Sequence, residues 1–205
     1  MQLRDGFIIG SDSRTTNCSD KNVSYRDSTE KTIVFNNELV VSHCGNDMIT
    51  KDISVTRFLS DLKKDMKSSA DIDSLPLQIL NRCIDLNKNS NVTFLITGKT
   101  QQNKQEGYLT YCVETNPKEL RLVFPFGQHG ATYRGITSVT NAIFNSGINY
   151  DLLNIQDGIE LMKCGMNASV IASKFNRSQS VGGPCRFYIA DKIHDYYGWD
   201  KSEAK

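Results

Sequence analysis

Residues Asp5–Thr16 read DGFIIGSDSRTT. An Asp-Gly pair opens onto a short, Ile-rich apolar run that closes in Ser, Asp and Thr, the pattern of a buried strand leading into a turn. A strand pair follows. TIVF (Thr32–Phe35) and ELVVSHC (Glu38–Cys44) are separated by Asn36 and Asn37, and Asn tolerates the positive φ that tight hairpin turns require.

Outward from these strands the period changes. From Asn46 to Met66 the apolar residues Ile49, Ile53, Phe58, Leu59, Leu62 and Met66 recur mostly at three- to four-residue steps, which predicts one helix face. A second helix is expected from Ser74, a candidate cap, through Pro76, Leu77, Leu80, Cys83 and Ile84. Val92, Phe94 and Ile96, then Leu109, Tyr111 and Val113, alternate with other residues on either side of a polar loop, KTQQNKQEG (Lys99–Gly107). Leu120, Leu122 and Phe124 supply another strand. Helices are predicted over Ala131–Ser146, with Gly147 as C-cap, and through Ile155, Ile159, Met162, Met166 and Val170. Gly158 and Gly165 weaken the latter helix, so packing must support it. CRFYIAD (Cys185–Asp191), introduced by the turn SVGGP (Ser180–Pro184), is the last clear strand.

Hairpins grouped between helix pairs argue against a doubly wound parallel sheet. The expected fold is α+β, a four-layer αββα sandwich of two antiparallel sheets flanked by helix pairs. With 205 residues the chain reads as a single domain, 1–205. Lys and Arg (24) nearly balance Asp and Glu (23), which argues against nucleic acid or a membrane surface as partner. No apolar run approaches the roughly 20 residues of a membrane span, and Met1–Gly10 lacks the pattern of a signal peptide, so a cytoplasmic location is expected. Six cysteines without a C-x-x-C pair read as reduced structural thiols; no metal or cofactor is expected.

DGFIIGSDSRTT resembles the second-strand signature of proteasome-type subunits, in which an Asp-Gly pair, an apolar strand and D-S-R-x-T follow one another. EKTIVFNNELVVSHCGND (Glu30–Asp47) is similar to that family's next hairpin, and SVGGPCRFYIADK (Ser180–Lys192) resembles the late turn and strand of its bacterial members. The family consists of N-terminal-nucleophile hydrolases. The resemblance implies that fold, and a bacterial proteasome beta-like subunit that cuts peptide amide bonds with an N-terminal threonine. The threonine hydroxyl attacks while its own α-amine, of unperturbed pKa roughly 7.7 to 8.0, serves as base.

Carried over by motif, Lys31 is the catalytic lysine, Asp12 the carboxylate that orients it and Gly45 the oxyanion donor. Ser180, or Val181 with one residue of slack, takes the place of the late serine. His43 falls where the family lines its specificity pocket, and Gln128 where many active members carry a serine near the nucleophile. Arg14 is expected in a structural ion pair. Lys31 and Asp12 should meet within ion-pair distance in a cleft lined also by His43 and Gly45.

The family's usual late aspartate is absent around NRSQSVGGP. The first strand reads as truncated: at roughly 3.3 Å per residue, Met1 falls on the order of 15 Å short of the nucleophile's place, so the 205-residue chain is expected to be inactive. Three functions stay open. They are a threonine-type peptidase subunit lacking its nucleophile, a non-catalytic ring or scaffold subunit, and a small-molecule amide hydrolase. The implied partners are a peptide or unfolded-protein substrate, copies of the chain in a homo-oligomeric ring, and an ATPase unfoldase.

Overall fold

The computed structural model describes residues 1–18, 23–36, 38–66, 70–134, 138–175, 181–183, 185–191 and 197–198. In chain order, β1 (Gly6–Ser11), β2 (Thr15–Cys18), β3 (Val23–Arg26), β4 (Thr32–Asn36), β5 (Leu39–Gly45), β6 (Met48–Thr50) and β7 (Ile53–Ser54) precede α1 (Val55–Met66) and α2 (Leu75–Leu86). There follow β8 (Val92–Gln102), β9 (Gln105–Glu114), β10 (Glu119–Phe124), α3 (Ser138–Phe144), α4 (Ile155–Phe175), β11 (Arg186–Asp191) and β12 (Tyr197–Gly198). The class is α+β with antiparallel sheets, as the grouping of hairpins between helix pairs predicts. Two compact units divide the chain: one holds Met1, Leu3–Lys31 and Ala131–Lys205, the other Gln2 and Thr32–Gly130.

The second unit is built on a five-stranded sheet in the order β10-β9-β8-β5-β4. Alternation along β8 turns Val92, Phe94 and Ile96 into one core with Val41, Leu59, Leu62, Ile79 and Val113. Full burial of each such side chain contributes about 1.5–3 kcal/mol. Gln2 belongs to this unit. Its amide Nε2 donates to the carbonyls of Tyr108 (3.0 Å) and Gln128 (2.9 Å), and its Oε1 accepts from Thr110 Oγ1 (2.9 Å).

Three expectations about this unit are corrected. Helix α1 begins at Val55, because residues 48–54 form the β6–β7 hairpin, whose turn is fixed by the Asp52 N–H donating to Thr50 Oγ1 (3.3 Å). Ser74 does not cap α2 with its side chain. The cap is Asp71, whose Oδ1 accepts from the N–H groups of Asp73 (3.0 Å) and Ser74 (2.8 Å), while Oδ2 accepts from Ser74 Oγ (2.7 Å). Most of the expected polar loop Lys99–Gly107 continues the ladder, with Gln102 paired to Gln105. The reversal needs only Asn103 and Lys104, at φ 52° and 66°, the left-handed pair of a tight hairpin turn.

In the first unit, β1, β11 and β12 form an antiparallel sheet. Met1 and Ile8 exchange two N–H···O bonds of 2.8 Å, so the segment before the Arg4–Asp5 turn runs back along β1. Helix α4 packs on β1, and its glycines are the means. A Cβ on Gly158 would meet Leu3 Cδ1 at 2.6 Å and Ile8 Cδ1 at 2.8 Å, and one on Gly165 would meet Phe144 Cζ at 2.5 Å. Close approach thus offsets the helix propensity these residues forgo. Helix α3 is shorter than expected. Ala131 and Tyr133, two residues apart, pack on the core from non-helical backbone, and Gly147 takes φ 78° beyond the helix as a C-cap would.

Two outcomes are expected. Gly158→Val should lower stability in urea unfolding, because overpacking of about 1–3 kcal/mol exceeds the few tenths regained in helix propensity. Asp71→Ala should cost about 1 kcal/mol at neutral pH through loss of the cap. Hydrogen bonding by Ser74 Oγ holds the Asp71 carboxyl below its ordinary range, burial opposes this, and the Ser74 and Asp73 N–H groups add to it. The contribution is therefore present above the unfolded carboxylate pKa of about 3.9 and lost as pH falls through the lower folded value. Unfolding curves of both proteins between pH 7 and pH 3 should converge at the acid end.

Candidate active site

Strand register brings distant residues together. Antiparallel pairing places Ser11, the last residue of β1, opposite Arg186, the first of β11. Asp12 and Cys185 therefore emerge from the same end of the sheet, and the turn before β11 lies beside Ser13 and Arg14. Asp12 starts its own turn, its Oδ2 accepting from the Arg14 N–H at 3.3 Å, a local bond that suits Asp at a strand end. The same oxygen accepts from the Gly182 N–H at 3.2 Å.

The other carboxylate oxygen faces Lys31. Nζ donates to Asp12 Oδ1 at 2.6 Å, and each side chain is 15% exposed. At that burial an ion pair is not chiefly a stabilising device, because desolvation of both charges offsets much of their attraction. The two backbone donors supply what the carboxylate has lost from water. The pair is thus withdrawn from solvent and fixed by the main chain.

A second pair stands beside the first. Arg14 Nε and Nη2 donate to the two carboxylate oxygens of Asp27, each at 2.6 Å, and the guanidinium lies 5.1 Å from the centre of the Tyr25 ring. The Arg14 fork holds the Asp27 carboxyl below its ordinary range, and hydrogen bonding to Asp27 raises Arg14. Arg14 is thus the ion-pair partner that sequence reading expects. Sequence reading missed Asp27, Gly182 and Cys185. SVGGP signals a turn but carries no sign of where the Gly182 N–H points, and Asp27 belongs to no recognised motif.

Cys185 is half-buried. Burial pushes its thiol up to about 11, the Asp12 carboxylate adds to the rise and the Lys31 ammonium opposes it. At neutral pH it is a thiol, hence a poor nucleophile.

His43, Gly45 and Gln128 belong to the second unit. His43 is buried in β5 opposite Phe94, their ring centres 6.5 Å apart, while its neighbour Cys44 is only half-buried. Gly45 adopts φ 95°, and a Cβ there would lie 2.7 Å from the Asn91 carbonyl oxygen, so both its conformation and its surroundings demand glycine. Gln128 has an exposed side chain, and its N–H donates to the Pro125 carbonyl at 3.1 Å. Ser180 lies outside the described residues; the N–H of Val181, the alternative at that position, donates to Ser173 Oγ at 3.1 Å. Among the described residues no group of three or more His, Cys, Asp or Glu could hold a metal ion, and no helix is long and apolar enough to cross a membrane.

Cys185 gives the ion pair a reporter. Asp12→Asn removes a charge that raises the thiol's pKa, so labelling by iodoacetamide should begin at lower pH. Lys31→Met removes a charge that lowers it, so labelling should begin at higher pH. Mass spectrometry of labelled Cys185 across pH measures both; shifts of the same sign would show that the thiol does not sense the pair.

No family model matches the sequence, and no curated protein matches it. Among solved structures, the chain is similar to Anbu (ancestral beta-subunit) from Yersinia bercovieri, with 18% identity and a TM-score of 0.67, over 98% of this chain and 86% of that one. At that identity the likeness speaks to the fold alone, the α+β arrangement of antiparallel sheets and helices that this chain shares with that ancestral beta-subunit.

Proposed function

We propose that the chain is a proteasome beta-like subunit of threonine-peptidase type, in which Lys31 and Asp12 support an N-terminal threonine nucleophile. The observation that carries this reading is the 2.6 Å contact between Lys31 Nζ and Asp12 Oδ1, with the second carboxylate oxygen held by two main-chain N–H groups. A lysine ammonium fixed in that way favours deprotonated forms of a neighbouring hydroxyl and amine through its charge.

In this reading the threonine hydroxyl attacks the substrate carbonyl carbon as the α-amine takes its proton. The carbonyl oxygen becomes an oxyanion, and the Gly45 N–H stabilises it. The C–N bond then breaks, the departing amine takes the proton, and water releases the acyl group from the threonine ester. By motif, Ser180, or Val181, stands for the late serine of the resembling family, and His43 and Gln128 stand for its pocket residues. The substrate is an unfolded polypeptide, and the chain works as a homo-oligomeric ring in the cytoplasm, fed by an ATPase unfoldase.

A second reading, a non-catalytic ring subunit, is favoured by Gln128 standing where active members of the resembling family carry serine. One experiment separates the two. A chain bearing a threonine with a free α-amine about five residues ahead of Met1 should cleave fluorogenic peptides. Thr→Ala at that added residue should abolish cleavage, and Lys31→Ala should lower kcat on the order of a hundredfold or more. Absence of cleavage from a folded, assembled threonine-initiated chain would sink the peptidase reading; hydrolysis of small amides alone would transfer it to small-molecule substrates.

A further inference from the structure

Asp12 Oδ2 accepts two main-chain N–H groups, and both belong to segments clamped by the neighbouring Arg14–Asp27 pair. Arg14 is one donor residue, and its guanidinium is gripped at both ends of the Asp27 carboxylate at 2.6 Å. Gly182, the other, lies against that guanidinium so closely that a Cβ would stand 2.5 Å from Arg14 Cζ. The next residue, Gly183, takes φ 71°, and a Cβ on it would meet Ser13 Oγ at 2.5 Å and Asp27 Cβ at 2.9 Å. Ser13 closes the clamp: its Oγ donates to the Asp27 carbonyl at 3.0 Å, and its own carbonyl accepts from the Thr29 N–H at 3.0 Å. Three segments far apart in sequence, 12–14, 27–31 and 182–183, are thus fastened around one guanidinium.

We propose that the Arg14–Asp27 pair is a positioning brace that holds the Arg14 and Gly182 N–H groups on Asp12, and so sets the carboxylate for Lys31. The proposal rests on the amide-hydrolase reading for its catalytic consequence, and on geometry alone for its structural one. Arg14 and Asp27 touch neither substrate nor the reacting atoms; they act through Asp12. Glycine at 182 admits the guanidinium to van der Waals contact, and the planar fork makes the grip bidentate, which a lysine could not do.

The test has two arms, each with Asp27→Asn, Arg14→Gln and Arg14→Lys. In the first, amide hydrogen exchange is followed by NMR on the full chain. The Gly182 amide should exchange at least tenfold faster in Asp27→Asn and Arg14→Gln, with Arg14→Lys between these and the parent, while the Tyr188 and Ile9 amides of the β1–β11 ladder stay within a factor of two. Unchanged Gly182 exchange overturns the brace, as does equal acceleration throughout the ladder, which would mark general loosening of the unit. In the second arm, the same variants in the threonine-initiated chain should lose tenfold or more in kcat with KM within twofold, and Arg14→Lys should recover part of the loss. Cleavage at the parent kcat despite faster Gly182 exchange overturns the catalytic consequence. Faster Gly182 exchange in a chain that cleaves nothing upholds the brace and sinks the hydrolase reading instead.

Discussion

Drawing a carboxylate out of water costs free energy unless donors replace the lost hydration. Asp12, with its side chain 15% exposed, meets that condition through three donors from three parts of the chain: Lys31 Nζ, the Arg14 N–H and the Gly182 N–H. The arrangement therefore depends on strand register. Because Ser11 pairs with Arg186, the turn carrying Gly182 arrives beside Asp12; a slip of one residue would turn every side chain of β11 to the other face of the sheet. Register in turn depends on β1 being anchored, and Ile8, fully buried and opposite Ile189, is pinned beneath α4 where Gly158 lets the helix approach. A glycine in a helix and a carboxylate at the end of a strand belong to one chain of causes.

How much of this could be read from the sequence varied with the range of the interaction. The motif DGFIIGSDSRTT and the hairpin around Asn36 are local, and each carries its own turn chemistry, so β1, β4 and β5 were legible. Residues 46–54 were not, because the four-residue step from Ile49 to Ile53 is shared by one turn of helix and by two short strands joined in a hairpin. The polar run Lys99–Gly107 hid a ladder for a related reason: the projecting end of a hairpin needs no apolar face, and composition alone then resembles a loop. Asp71 was overlooked as a cap because Ser74, nearer the helix, is an equally good residue type on paper.

The site was legible where it rests on side chains in a motif and opaque where it rests on backbone. Asp12 and Lys31 could be paired by matching two separated motifs, and they meet at 2.6 Å. Gly182 acts through a main-chain N–H, a group every residue but proline possesses, so no residue type announces it. Asp27 sits thirteen residues from Arg14, and acidic residues near strand ends are common enough that nothing singles it out. His43, Gly45 and Gln128 show the converse: the surroundings of each are clear, and the roles expected of them rest on the resemblance alone.

Two cations and two carboxylates share this corner, and their pairing follows from the shapes of the cations. Asp27 takes Arg14, whose rigid planar fork satisfies both carboxylate oxygens at once and spends its two converging donors on a structural grip. Asp12 takes Lys31 through one oxygen, which engages one of the three ammonium donors and leaves a compact charge on a flexible stem. An arginine in the place of Lys31 would offer a fork to a carboxylate whose second oxygen is already occupied by the main chain. A lysine in the place of Arg14 would grip Asp27 from one side only and leave open the space that Gly182 is shaped to border. The division assigns rigidity to the outer pair and an available positive charge to the inner one, and it is the inner pair whose carboxylate the main chain holds still.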